Sequence, residues 1–334
     1  MFTLPTGDFP AEGSSDDNPI HLSGDSVEDF RHFLWALYAL PQELMVVYTE
    51  HADLTQLIAI ATVAHKYSFA SVQNWSLDAI QDLVNRKSSP ILSNLPTDER
   101  GMPTGEAITM CGVQLTRLMR LAQLCGHERL QHTMVSRLKQ FMKLSPQFAY
   151  LAITLADELD IRPLRGIAYL EVMQKASPMT ARRTSGASTD SEHANPLPRA
   201  GELDSQGRLV VTPSQRLRLL SGYYQLTSSW ESLRTKPPVF EHAASCGATW
   251  HQHGCTQSWA DFWKEKTKSE SVLNLGLADV LGRLRQISRE FDRWGSATYM
   301  HHDCRQAARQ TIVDSIKGIE DALPDFFGDG AVID

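Results

Sequence analysis

The chain has 334 residues, with 42% hydrophobic and 21% charged residues and a formal net charge of −7. These values suit a folded protein of about two domains and argue against binding nucleic acid through bulk charge. The longest clean apolar run, residues 57–64 (LIAIATVA), is far short of the roughly 18 residues that span a bilayer. Residues 1–30 contain seven Asp and Glu residues and no Lys or Arg, so the whole net charge falls in this segment. With neither a basic n-region nor an apolar h-region there, the expectation is an intracellular protein of the cytoplasm or nucleus.

Residues 1–24 are rich in Gly, Ser, Asp and Pro, clusters of the kind that make loops. Within them the alternating triplet at residues 20–22 (IHL) suits a short strand. Asp25 or Ser26 can cap a helix carrying Val27, Phe30, Leu34, Leu37 and Tyr38, which ends before Pro41. A second helix starts near Asp53, and a third near Phe69 runs through Leu83. Pro90, Pro96, Gly101 and Pro103 then break the pattern and mark a linker at residues 87–109.

The next segment, residues 110–174, is helical throughout. Cys111, Leu115, Leu118, Ala122 and Cys125 share one face, and Leu130, Met134, Leu138 and Phe141 share another. Ser145-Pro146 opens a further helix by placing a capping hydroxyl before a proline at the first helical position. Residues 175–207 hold no aromatic residue, Val or Ile, so little apolar burial offsets their conformational entropy and disorder is expected. Arg182-Arg183-Thr184-Ser185 in this span resembles a basophilic kinase site and is read as a chance match. The region 208–326 is helical again. Thr212-Pro213 starts a helix bearing Leu217, Leu220 and Tyr224. Leu277, Val280, Leu281, Leu284, Ile287 and Phe291 form a clear stripe, Ile312 to Leu323 belong to a last helix, and residues 327–334 are a tail.

The search for chemistry excludes more than it finds. The chain has no G-x-S-x-G elbow, no phosphate-binding P-loop and no dinucleotide fingerprint. His127 and His132 are five residues apart, not the four that a zinc-protease helix needs, and read as an exposed polar face. Cys246, His251, His253 and Cys255, with His301, His302 and Cys304 further on, carry ligand types that zinc prefers. Their Cys-x8-Cys spacing matches none of the usual ligand pairs, and the plain alternative is buried thiols beside a polar loop. No catalytic, cofactor-binding or metal-ligating residue is therefore assigned, and no enzyme activity or cofactor is expected. All five cysteines are expected to be reduced thiols, most of them buried. Trp259 and Trp263, four residues apart, read as core in preference to a binding surface, because exposed Trp clusters are costly. Arg117, Arg120, Arg129, Arg137, Lys139 and Lys143 give the middle helices a local positive balance, which supports a nuclear nucleic-acid-contacting regulator as the alternative function.

Several segments resemble a known family. Residues 1–5 (MFTLP), 12–22 (EGSSDDNPIHL), 25–30 (DSVEDF) and 33–38 (FLWALY) resemble the second half of a BTB/POZ domain, as found in the BTB proteins of mushroom-forming fungi. The resemblance is specific over residues 1–86, fair over 110–174 and loose over 208–326. It implies a mainly α fold in which a partial BTB/POZ domain with a short residual strand is followed by helical, bundle-like regions. In it, residues 20–22 are that strand, 27–40 the helix after it, and 54–67 and 72–84 a helical hairpin. The first hairpin and helix of a complete BTB domain have no counterpart after Met1, and with them goes much of the usual homodimer interface. The implied function is a non-enzymatic protein–protein interaction protein, an adaptor for a cullin scaffold or a regulatory scaffold, with a truncated product of little activity as the bland alternative. No membrane association is expected.

Overall fold

The computed structural model describes residues 13, 17, 19–86, 104–175, 199–204, 208–247, 249–294 and 300–328. Within them the chain is mainly α-helical, and the lone β-bridge joins Leu203 to Leu209. Residues 20–22 are irregular. A three-residue alternating run without a partner has nothing to pair its backbone with, so the expected strand does not form. The chain divides into two compact units. The first comprises residues 1–96 and 109–134, the second residues 97–108 and 135–334. The expected helical extension 110–174 is therefore split between them.

In the first unit, α1 (Val27–Tyr38), α2 (Pro41–Leu44), a 3-10 turn (Met45–Tyr48), α3 (Leu54–Lys66) and α4 (Ala70–Asn85) follow one another. Ser26 caps α1 by accepting a hydrogen bond from the Asp29 N–H at 3.0 Å, and Asp53 caps α3 through the Thr55 N–H at 2.8 Å. Both satisfy amides that the helix itself leaves free. The apolar run noted in the sequence becomes the centre of this unit. In residues 57–64 of α3 every side chain but Thr62 is buried, enclosed by α1 and α4. Phe33 sits against Val63 and Ala64 and meets Phe69 edge to face at 5.1 Å.

Two further helices follow, α5 (Gly105–Leu124) and α6 (Glu128–Phe141). Helix α5 begins inside the expected linker, with the Thr104 hydroxyl accepting from the Ala107 N–H at 3.3 Å; residues 87–103 lie outside the described residues. Gln81 of α4 donates to the Thr133 hydroxyl of α6 at 3.0 Å.

The second unit contains α7 (Pro146–Glu158), α8 (Arg162–Lys175), α9 (Pro213–Thr235), α10 (Thr249–Lys266), α11 (Glu270–Leu273), α12 (Val280–Arg293) and α13 (His302–Phe326), with a 3-10 turn at Ala244–Cys246. Ser145-Pro146 opens α7 as expected, the serine hydroxyl accepting from the Gln147 N–H. Thr212 and Gln215 cap α9 reciprocally, the capping-box arrangement. Helix α8 packs on α7 and α13, and a close approach explains a glycine. A Cβ on Gly166 would lie 2.7 Å from the Leu323 Cβ and 2.8 Å from the Pro324 nitrogen.

Leu217, Leu220 and Tyr224 lie on the exposed side of α9, and its buried face is Gln215, Leu219, Gly222, Leu226 and Trp230. Two expectations for this unit need correction. Phe327 is no tail residue, being fully buried and stacked on Tyr169 with ring centroids 5.3 Å apart. Residues 199–204 of the expected disordered span pair with 208–210, through Gly201 N–H to Val210 O at 2.7 Å and Val210 N–H to Glu202 O at 2.9 Å. Lys175 closes α8, and residues 176–198 and 205–207, including the kinase-like run 182–185, lie outside the described residues.

The core of α10 and α12 is aromatic. Trp259, Phe262, Trp263 and Phe291 are buried, with Trp259 and Trp263 at 5.3 Å and Phe262 and Phe291 at 5.0 Å. Both indole N–H groups find backbone carbonyls, Trp259 that of Pro238 at 2.8 Å and Trp263 that of Leu233 at 2.7 Å. The large apolar rings are thus buried without stranding a polar atom.

Candidate functional site

Two places in the molecule carry more than packing. The first is a stretch of the N-terminal unit that turns apolar side chains outward. Between the end of α1 and the 3-10 turn, Leu37, Tyr38, Leu40, Met45, Val46 and Tyr48 are all exposed, Tyr38 to 83% and Leu40 to 62%. Residues 37–48 (LYALPQELMVVY) contain one charge, Glu43, and that carboxylate is engaged in accepting the Leu40 N–H at 2.7 Å. The backbone beneath is fixed. Val47 is buried, and the Arg86 guanidinium at the end of α4 donates to Thr49 O at 2.7 Å and Val47 O at 3.2 Å. Apolar side chains presented together on a fixed backbone are the raw material of a docking surface.

At the opposite end of α1 from this stretch, Asp25 ties the start of α1 to the end of α3. It accepts from Lys66 Nζ at 2.7 Å and from the Tyr67 hydroxyl at 2.6 Å. Burial alone would raise the Asp25 carboxyl, but the two hydrogen bonds and the Lys66 charge outweigh it and hold the group below its ordinary range. The same bond to Asp25 raises the Lys66 ammonium above its usual value.

The second place is a cluster of thiols and an imidazole in the C-terminal unit. Cys246 closes the 3-10 turn, Cys255 lies in α10, and Cys304 lies in the first turn of α13. His242 comes from the irregular segment ahead of the turn. Cys246 Sγ and Cys255 Sγ are 3.9 Å apart, and Cys304 Sγ is 3.6 Å from His242 Nδ1. The donor atoms of His242, Cys246 and Cys304 lie within 4.8 Å of one another. All three cysteines are buried. Burial, reinforced by the neighbouring Cys304 and Cys255 thiols, pushes the Cys246 thiol well above that of a free cysteine.

Around this cluster the hydrogen bonds have a definite sense. The Thr256 hydroxyl donates its proton to Gln252 O at 3.1 Å, so it accepts from His242 Nε2 at 3.0 Å. That places the imidazole proton on Nε2 and leaves the Nδ1 lone pair facing Cys304. The backbone N–H of His301 donates to Cys255 Sγ at 3.2 Å. The Ser245 hydroxyl donates to Asp303 at 2.5 Å, linking the 3-10 turn to α13.

The structure redistributes the residues singled out in the sequence. Cys246, Cys255 and Cys304 come together, but His251 and His253 point to solvent on α10, and His251 stacks on the exposed Trp250 at 3.5 Å. His242 was missed. It stands four residues before Cys246 in a segment with no helical periodicity, so its one sequence signal was that short spacing. His302 is exposed and contacts Asp303 at 3.1 Å. None of the five cysteines forms a disulfide. His127 does local work, its Nδ1 accepting the Leu130 N–H at 3.1 Å at the start of α6, while His132 is exposed. The basic residues of the middle helices are divided, with Arg117, Arg120 and Arg129 in the first unit and Arg137, Lys139 and Lys143 in the second. Among the described residues no helix is long and apolar enough to cross a membrane. No family model, curated protein or solved structure matches the chain.

Proposed function

We propose that this chain is a non-enzymatic protein–protein interaction protein of BTB type, an adaptor that docks a cullin scaffold through its N-terminal unit. The observation that carries this reading is the outward apolar stretch at residues 37–48, anchored by Val47 and Arg86. The helices on either side support it. The resemblance implies helices at residues 27–40, 54–67 and 72–84, and α1, α3 and α4 occupy Val27–Tyr38, Leu54–Lys66 and Ala70–Asn85. An apolar, nearly uncharged surface suits a helical partner that contributes its own apolar ridge.

The test uses the purified full chain and a purified cullin scaffold, with binding measured by calorimetry. The wild type should bind, and a Leu37→Asp/Met45→Asp variant should lose at least tenfold in affinity. Both side chains are exposed, so the variant should keep its melting temperature. If the wild type shows no binding to the scaffold, or if the surface instead drives concentration-dependent self-association that the variant abolishes, the adaptor reading is wrong.

A further inference from the structure

We infer that His242, Cys246, Cys255 and Cys304 are the ligands of a structural zinc ion that staples the C-terminal unit. In a tetrahedral site with Zn–S of about 2.3 Å and Zn–N of about 2.0–2.1 Å, two sulfurs stand about 3.8 Å apart and a sulfur and a nitrogen about 3.6 Å apart. The two edges seen here are 3.9 Å for Cys246 to Cys255 and 3.6 Å for Cys304 to His242. The donor atoms of His242, Cys246 and Cys304 lie within 4.8 Å of one another, and Cys255 adjoins this trio through Cys246, so on binding its sulfur would move in to complete a donor set of three thiols with one imidazole.

The surroundings match what zinc ligands need. An imidazole ligand must offer a lone pair on one nitrogen while its other N–H is held by an acceptor. Thr256 does this for His242, because its own proton is committed to Gln252 O. Thiolates need compensating positive charge or donors. Cys255 receives the His301 N–H, and Cys304 sits in the first turn of the long helix α13, where the free amides and the helix dipole favour an anion. With four protein ligands and three buried sulfurs, there is no open position for water or substrate, which marks a structural rather than a catalytic site.

The ligands come from four separate pieces of chain: the segment ahead of the 3-10 turn, the turn itself, α10 and α13. One ion would join all four, adding to the Ser245–Asp303 hydrogen bond that links the turn to α13.

The test is made on the full chain, purified under reducing conditions and reconstituted with zinc, then passed through a desalting column. One zinc per chain should be retained by elemental analysis. Replacement by cobalt should give the sulfur-to-metal charge-transfer and intense d–d bands of a tetrahedral thiolate site. Cys304→Ser and His242→Ala should each drop zinc well below stoichiometric, and His251→Ala/His253→Ala should keep it whole. Wild-type protein that retains no zinc, gives no tetrahedral cobalt spectrum, or is isolated with a Cys246–Cys255 disulfide overturns the site. Loss of zinc from the His251/His253 variant, or full retention in Cys304→Ser, overturns this ligand set. The wild-type cobalt spectrum decides the matter even where a ligand variant fails to fold.

Discussion

Replacing Gly222 with alanine should destabilise the protein in the presence of Phe327 and stabilise it without that ring. In an ordinary helix interior, Gly→Ala gains about 1 kcal/mol because alanine has less backbone freedom to lose. In α9 the new methyl would lie 1.9 Å from Cε1 and 2.3 Å from Cδ1 of Phe327, an impossible approach. The ring is fully buried and stacked on Tyr169, so it must leave its seat. Expelling it forfeits about 1.5–3 kcal/mol of burial and about 0.5–1.5 kcal/mol of ring pairing. Subtracting the helix gain leaves a net loss of about 1–3.5 kcal/mol. Urea unfolding followed by tryptophan fluorescence reads this directly. Of the seven tryptophans, Trp230, Trp250, Trp259, Trp263 and Trp294 belong to the second unit. In a Phe327→Ala background the same Gly222→Ala change should add about 1 kcal/mol. An equal destabilisation in both backgrounds, or a stabilised single variant, would refute the packing argument.

Other outcomes follow from the ion pairs and caps. The folded-state pKa of Asp25 is depressed and that of Lys66 raised. Their contribution is therefore present at neutral pH, fades as pH falls through the lowered Asp25 value, and fades again as pH rises through the raised Lys66 value. The stability gap between wild type and Asp25→Asn, measured by urea titration across pH, should be flat near neutrality and close below about pH 4; a gap that widens in acid contradicts this. Asp157 accepts from the Tyr169 hydroxyl at 2.6 Å, Arg165 Nε at 3.3 Å and Arg218 Nη1 at 2.5 Å. Asp157→Ala removes the carboxylate shared by the Tyr169 hydroxyl and two arginines, of which Arg165 keeps Asp160 at 2.7 Å, and should cost about 1–3 kcal/mol, with a matching fall in urea midpoint. His127→Ala removes the acceptor at the start of α6 and should cost about 0.5–1 kcal/mol, seen as a small drop in melting temperature by circular dichroism.

How much of this was legible in the sequence depended on whether the cause was local. Caps are local, and Ser26, Asp53, Ser145 and Thr212 each marked a helix start. Trp259 and Trp263 share a helix face by spacing, and the cost of exposing two indoles marked that face as core. Helix α9 offered no comparable signal, because its exposed face carries Leu217, Leu220 and Tyr224 while its buried face includes Gln215 and Gly222. Gly222 makes sense only once Phe327, far along the chain, occupies the space. The thiol cluster was legible in part, since Cys246, Cys255 and Cys304 were grouped by residue type, while His242 sits in a stretch with no periodicity to announce it. His251 and His253 are close in sequence to Cys255, yet both are exposed on α10.

The pairing of α8 with α13 at Gly166, and of α9 with Phe327, has a topological consequence. Residues early in the second unit and residues near its end complete one another's packing, so the order of the chain between them matters little to the finished core. A polypeptide cut between α8 and α9 would yield two pieces, each holding part of that core. They should stay associated, and should find each other again when mixed after separate denaturation, at a rate that rises with concentration because loop closure has become an encounter between molecules.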